Sequence, residues 1–152
     1  MSENIKESSL KQVKESFQQV DNLYNRYSKS IGLSTSAVIV LDFLNSSSEI
    51  YTQTQICDTL GFPKQLVNVI IKSFWEKGYV KLQEAKDRRH KEVILTNEGK
   101  SYAENIANPL HRAELQAWDA LTDEEALQFL SIMKKYEQLI GSAINGAIEN
   151  LK

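Results

Sequence analysis

From Leu10 the apolar residues fall at alternating steps of three and four: Leu10, Val13, Phe17, Val20, Tyr24, Tyr27, Ile31. That is a heptad stripe along one long helix, and Gly32 ends it. Ser34 is a natural N-cap for the next helix, with Leu33 and Val38 as its hydrophobic staple. Val38, Leu41, Phe43 and Leu44 make this helix largely buried, and the polar run Asn45-Ser46-Ser47-Ser48 closes it. Two short helices follow. Thr52-x-x-Gln55 is a capping box, stapled by Tyr51 and Ile56, and opens a helix carrying Ile56, Cys57 and Leu60. Gly61 closes that helix where a left-handed residue is needed. Pro63 suits the first turn of a second helix, which runs to about Lys77 and ends at Gly78. Its buried face is expected to be Val67, Ile70, Ile71 and Phe74. Helix, tight turn with glycine, helix is the helix-turn-helix pattern.

After Gly78 the period changes from helical to alternating. Val80 and Leu82 share one side of a first strand, Val93 and Leu95 one side of a second. A hairpin directly after a helix-turn-helix is a wing. Thr96 N-caps the next helix, with Glu98 in its first turn. This helix carries Tyr102, Ala103, Ile106, Leu110, Ala113, Ala117 and Trp118, and Pro109 inside it is expected to bend or break it. A second capping box, Thr122-x-x-Glu125, opens the last helix, whose apolar stripe is Ala126, Phe129, Met133, Tyr136, Ile140, Ala143 and Ala147. Leu130, Ile144 and Leu151 widen it. The chain thus begins and ends with long helices that have more apolar face than a small central module can cover. Packing of two copies about a two-fold axis is the cheapest solution, and a closed monomeric bundle is the alternative.

The fold class expected is mainly α with a small β-hairpin wing. One domain of 152 residues is read, with a winged helix-turn-helix core at about 33–100 and dimerisation helices at about 5–31 and 101–152. Composition is ordinary for a globular protein, and no apolar run reaches the ~20 residues that span a bilayer. The N-terminus MSENIKESS has no apolar signal region, and a single cysteine allows no internal disulfide, so a cytoplasmic protein without membrane association is expected.

Charge changes the picture locally. The chain carries a net −2, yet between Lys64 and Lys100 nine basic residues face five acidic ones, and four of the nine, Lys86, Arg88, Arg89 and Lys91, crowd with His90 around Asp87 in the stretch KDRRHK. A basic face of this kind is what a phosphate backbone meets. In a helix-turn-helix the second helix enters the major groove. Its solvent-side candidates are Lys64, Gln65 and Asn68, with Lys72 one turn on. Gln and Asn can bond adenine N6 and N7 in pairs, and Lys can reach guanine O6 or N7. The wing would follow the adjacent minor groove, whose negative potential suits Arg88 and Arg89, with Asp87 orienting the guanidinium fork. Leu66 and Val69 either touch thymine methyls or pack against the preceding helix.

From Leu33 to Gly99 the chain resembles the winged-helix core of the MarR family of bacterial transcription regulators. The resemblance rests on Gln55-Ile56-Cys57-x-x-Leu60-Gly61, Val67, Phe74-x-x-x-Gly78-Tyr79-Val80, Asp87-x-Arg89 and Leu95-Thr96-x-x-Gly99. It implies a homodimer, roughly triangular, that binds pseudo-palindromic double-stranded DNA operators and is released by a small phenolic-type effector or by oxidation. It further implies that Arg89 is the minor-groove residue and Asp87 its brace. Pro63, Leu66 and Val69 depart from the Ser or Thr often found near the start of the family's recognition helix.

His111 and Arg112, just after Pro109, are candidates for an effector pocket. His90 and His111 are remote from each other and lack ligand spacing, so no metal is expected. No phosphate loop, nucleophile elbow or His–carboxylate pair appears, so neither an enzyme nor a cofactor is expected. Cys57 sits where the family carries a small buried residue, and buried apolar thiols are inert. Two alternatives to a ligand-responsive repressor are a thiol-based redox sensor acting through Cys57 and a winged-helix protein-interaction module without DNA binding. A module that had abandoned DNA would have little reason to keep Asp87-x-Arg89 with Lys64, Gln65 and Asn68.

Overall fold

The computed structural model describes residues 3–84 and 91–151. In chain order the elements are α1 (Glu3–Ser30), α2 (Thr35–Ser46), β1 (Tyr51–Thr52), α3 (Gln53–Leu60), α4 (Lys64–Glu76), β2 (Val80–Glu84), β3 (Lys91–Leu95), α5 (Asn97–Asp119) and α6 (Asp123–Glu149). The fold is mainly helical with a three-stranded antiparallel sheet in the order β1-β3-β2. The chain forms two compact units, one up to Pro109 and one from Leu110 on.

Local chemistry sets most of the helix ends. Ser34 accepts the Ala37 N–H at 3.1 Å. Thr52 and Gln55 form the reciprocal capping box at the start of α3, and Thr122 and Glu125 form the one at the start of α6. Gly61 ends α3 in the left-handed conformation, φ 66°, a geometry that costs glycine little. Pro63 stands one position earlier than expected. It is the N-cap of α4, and its carbonyl accepts the Leu66 and Val67 N–H groups.

In the first unit α2, α3, α4, the sheet and the start of α5 enclose the core. Val40, Leu41, Ile56, Val67, Ile71 and Ala103 are fully buried, and Phe74 is 1% exposed. Burial of such side chains contributes about 1.5–3 kcal/mol each. The sheet is the main correction to the two-stranded hairpin expected from sequence. Tyr51 pairs with Val93 and Thr52 with Glu92, adding β1 as a third strand. Two residues are too short to show a period, so this strand exists only through its partner. The hairpin itself keeps the expected sides: Val80 lies opposite Leu95 and Leu82 opposite Val93.

The joint between the wing and α5 explains the Leu-Thr-x-x-Gly motif. Thr96 accepts the Gly99 N–H at 3.0 Å as a helix cap. Its hydroxyl donates to the Gly78 carbonyl at 2.7 Å, which ties the start of α5 to the end of the α4 turn. A Cβ on Gly99 would overlap the Tyr79 carbonyl, so only glycine permits this approach. Tyr79 and Tyr102 stack with ring centroids 4.1 Å apart. Burial first, and Tyr79 second, pushes the Tyr102 phenol above its ordinary pKa.

α5 runs as one helix through Pro109, so the break that sequence allows there does not occur. Proline removes one ladder bond. The carbonyl that loses its ladder donor is that of Asn105, and the neighbouring Ile106 carbonyl accepts the Tyr27 hydroxyl from α1 at 2.6 Å.

The long helices leave much apolar surface uncovered. On α1, Leu10, Val13, Phe17 and Val20 are exposed, and among the described residues of α6 none is buried. Among the described residues no helix is long and apolar enough to cross a membrane.

Candidate nucleic-acid interface

α4 has two distinct faces because its apolar residues recur at helical spacing. Val67, Ile70, Ile71 and Phe74 are buried, as sequence indicates. Lys64, Gln65, Asn68 and Lys72 all point to solvent. Lys64, Gln65 and Asn68 line one shallow depression together with Gln53, Thr54 and Cys57 of α3. The first turn of α3 and the first two turns of α4 therefore share a concave surface. Nothing from a side chain caps the N-terminus of α4. Its leading N–H groups thus add to the positive character of this end.

Lys72 lies one turn beyond that depression. Its Nζ is 3.9 Å from Glu76 Oε1, and both groups are largely exposed. An exposed pair of this kind contributes little to stability and can open toward another anion. The two apolar residues left open by sequence separate cleanly. Leu66 is half-buried, whereas Val69 is 66% exposed on the face of Gln65, Asn68 and Lys72. Trp75, 54% exposed further along α4, was not anticipated. Its spacing of three from Lys72 is the signal that a helical projection would have used.

The strand pair of the wing is described as far as Glu84 opposite Lys91. Asp87, Arg88 and Arg89, with Lys86 and His90, lie outside the described residues. Cys57 is 6% exposed, beside the fully buried Ile56. His111 and Arg112 are both exposed on α5, and His111 Nδ1 is 3.7 Å from Glu114 Oε2, a contact that is ionic only when the imidazole is protonated. Among the described residues no group of three or more His, Cys, Asp or Glu side chains is placed to hold a metal ion.

Comparison with known proteins agrees with this geometry. Residues 31–90 match the MarR family model. Curated proteins give no match. Among solved structures, the chain is similar to AbsC, a MarR family transcriptional regulator from Streptomyces coelicolor, with a TM-score of 0.75 at 17% identity over 96% of this chain and 97% of that one. A MarR family regulator from Neisseria meningitidis gives a TM-score of 0.73 at 19% identity over 91% of this chain and 97% of that one. MepR from S. aureus, in its complex with DNA, gives 0.71 at 17% identity over 84% of this chain and 94% of that one. The matching segment and the fold agree with the resemblance read in the sequence: residues 31–90 match the MarR family model, and the chain has the fold of these solved MarR family regulators.

Proposed function

We propose that the protein is a sequence-specific double-stranded DNA-binding transcriptional regulator, acting as a homodimer on a pseudo-palindromic operator. The observation that carries this reading is the split of α4 into a buried apolar face and an exposed face holding Lys64, Gln65, Asn68 and Lys72. Exposed amides and ammonium groups on one helix face are what major-groove edges recognise. Similarity to MepR, solved with DNA, supports the same role for this fold. Arg88 and Arg89 would enter the adjacent minor groove, with Asp87 as their brace.

The homodimer is supported by the uncovered apolar stripes of α1 and α6. Residues 33–100 would read DNA while 5–31 and 101–152 pair two copies, setting the recognition helices about one helical turn of DNA apart. A dimer seated on a promoter excludes polymerase, so repression is the expected output. A small effector held near His111 and Arg112 would act by favouring a different spacing of the two reading heads.

The test is selection of binding sites from a random duplex pool, with native protein and an Arg88→Ala/Arg89→Ala variant in parallel. The native protein should enrich a palindrome, and its affinity should fall steeply with salt as counterions are released. The variant should bind at least tenfold more weakly while sedimenting as the same dimer. Enrichment of no duplex by the native protein at low salt would overturn the DNA-binding reading, and a monomeric native protein would overturn the dimer.

A further inference from the structure

Val69 is out of place for a residue that serves the fold. The helix already has its core face in Val67, Ile70, Ile71 and Phe74, all 5% exposed or less. Val69 stands on the opposite side at 66% exposure, one turn on from Gln65 and next to Asn68. A branched apolar side chain there neither packs into the core nor improves helix propensity, since valine is a poorer helix former than the residues common on solvated faces.

We propose that Val69 is a specificity-determining residue that reads the C5-methyl group of a thymine in each half-site of the DNA. This rests on the DNA-binding reading above. The thymine methyl is the one apolar group that base edges show in the major groove. Val69 carries its two methyls on a side chain that is nearly fixed at χ1 in a helix, so contact costs little rotamer freedom. Its neighbours sharpen the assignment. Gln65 and Asn68 bear the side-chain amides that pair with adenine N6 and N7. A helix that presents two amides with a rigid methyl pair between them and Lys72 matches a half-site containing both adenine and thymine on the strands it faces. Covering one thymine methyl against Val69 removes about one methyl group of apolar surface from water on the DNA side, which corresponds to roughly fourfold in affinity.

The experiment starts from the duplex that the native protein selects. Each thymine of one half-site is replaced in turn by deoxyuridine, which deletes only the methyl group. Affinities are measured at fixed salt for native protein and for Val69→Ala. One replacement should weaken the native protein about fourfold, and Val69→Ala, which loses the contact in both half-sites, should bind the unmodified duplex roughly fifteenfold more weakly and be indifferent to that same replacement. Val69→Thr, which keeps one methyl, should fall between the two. Because Val69 is exposed, none of these variants puts folding at risk. A selected half-site without thymine, a set of replacements that all leave native affinity unchanged, or a loss that persists undiminished in Val69→Ala each overturns the role of Val69 while leaving DNA binding in place. Failure to select any duplex overturns DNA binding itself, and this role with it.

Discussion

Helix α4 in the unit up to Pro109 and helix α6 in the unit from Leu110 on are built from the same raw material, apolar residues at steps of three and four, and they end in opposite states. On α4 the stripe Val67, Ile70, Ile71 and Phe74 is buried within its own chain. On α6 the stripe stays open: Phe129 is 52% exposed and Ile144 likewise. Periodicity names the apolar face of a helix. It does not say what covers that face. For α4 the cover is internal, supplied by α2, α3 and the sheet. For α6, as for α1, the proposed homodimer supplies it from another copy of the chain, because large exposed apolar patches are rare on monomers.

Single substitutions can break this comparison. Phe74→Ala should show the largest effect, a loss of about 4 kcal/mol of unfolding free energy. Ile132→Ala on α6, a residue 66% exposed, should cost dilute protein less than about 0.5 kcal/mol, yet reduce the dependence of the urea midpoint on protein concentration. Urea titrations at two protein concentrations a hundredfold apart check both. A large loss for Ile132→Ala that is the same at both concentrations would mean that the second unit is covered from within.

A smaller effect sharpens the first unit. Gly99→Ala drives a Cβ into the Tyr79 carbonyl and should cost about 3 kcal/mol, since backbone must move to relieve it. Thermal melts of this variant beside Gly146→Ala, where a Cβ meets nothing within 4 Å, separate close approach from a general glycine effect. Gly146→Ala, inside α6, should be neutral or stabilising.

The smallest effect concerns the entry to α6. Thr122→Ala should cost about 1 kcal/mol, the usual worth of an N-cap. Hydrogen bonds from the Thr122 backbone N–H first, and from its hydroxyl second, hold the Glu125 carboxyl below its ordinary pKa. A lowered pKa in the folded state means that this contribution is present above the ordinary glutamate range and lost as pH falls through the lowered value. The difference between native protein and Glu125→Gln should therefore shrink on acidification, as followed by helix content between neutral pH and pH about 3.

Much of the architecture was legible in the chain. Ser34, Thr52 and Thr122 announced their helices because a cap needs only a side chain and an N–H three residues on. Gly61 announced the turn between α3 and α4 for an equally local reason. Of the candidate interface, Lys64, Gln65, Asn68 and Lys72 were found by projection onto a helix, and the solvent face is where they lie. For Leu66 the side was not legible, since it sits at the border of the apolar stripe and only the packing of α4 against its neighbours leaves it half-buried; Val69, one turn on from Gln65, lies on the solvent face, where sequence had left it open.

What the sequence by itself determined is the set of helices, their caps and which face of each is apolar, because these depend on groups within about four residues of one another. The tertiary structure alone decided the rest. It paired Tyr51 with Val93 to make a strand of two residues. It set Gly99 against Tyr79 and brought the Tyr27 hydroxyl to the turn before Pro109, where α5 carries on as one helix. Each of these joins residues far apart in the chain. A contact of that kind leaves no period or cap behind in the sequence, and its free energy appears only when the two segments meet.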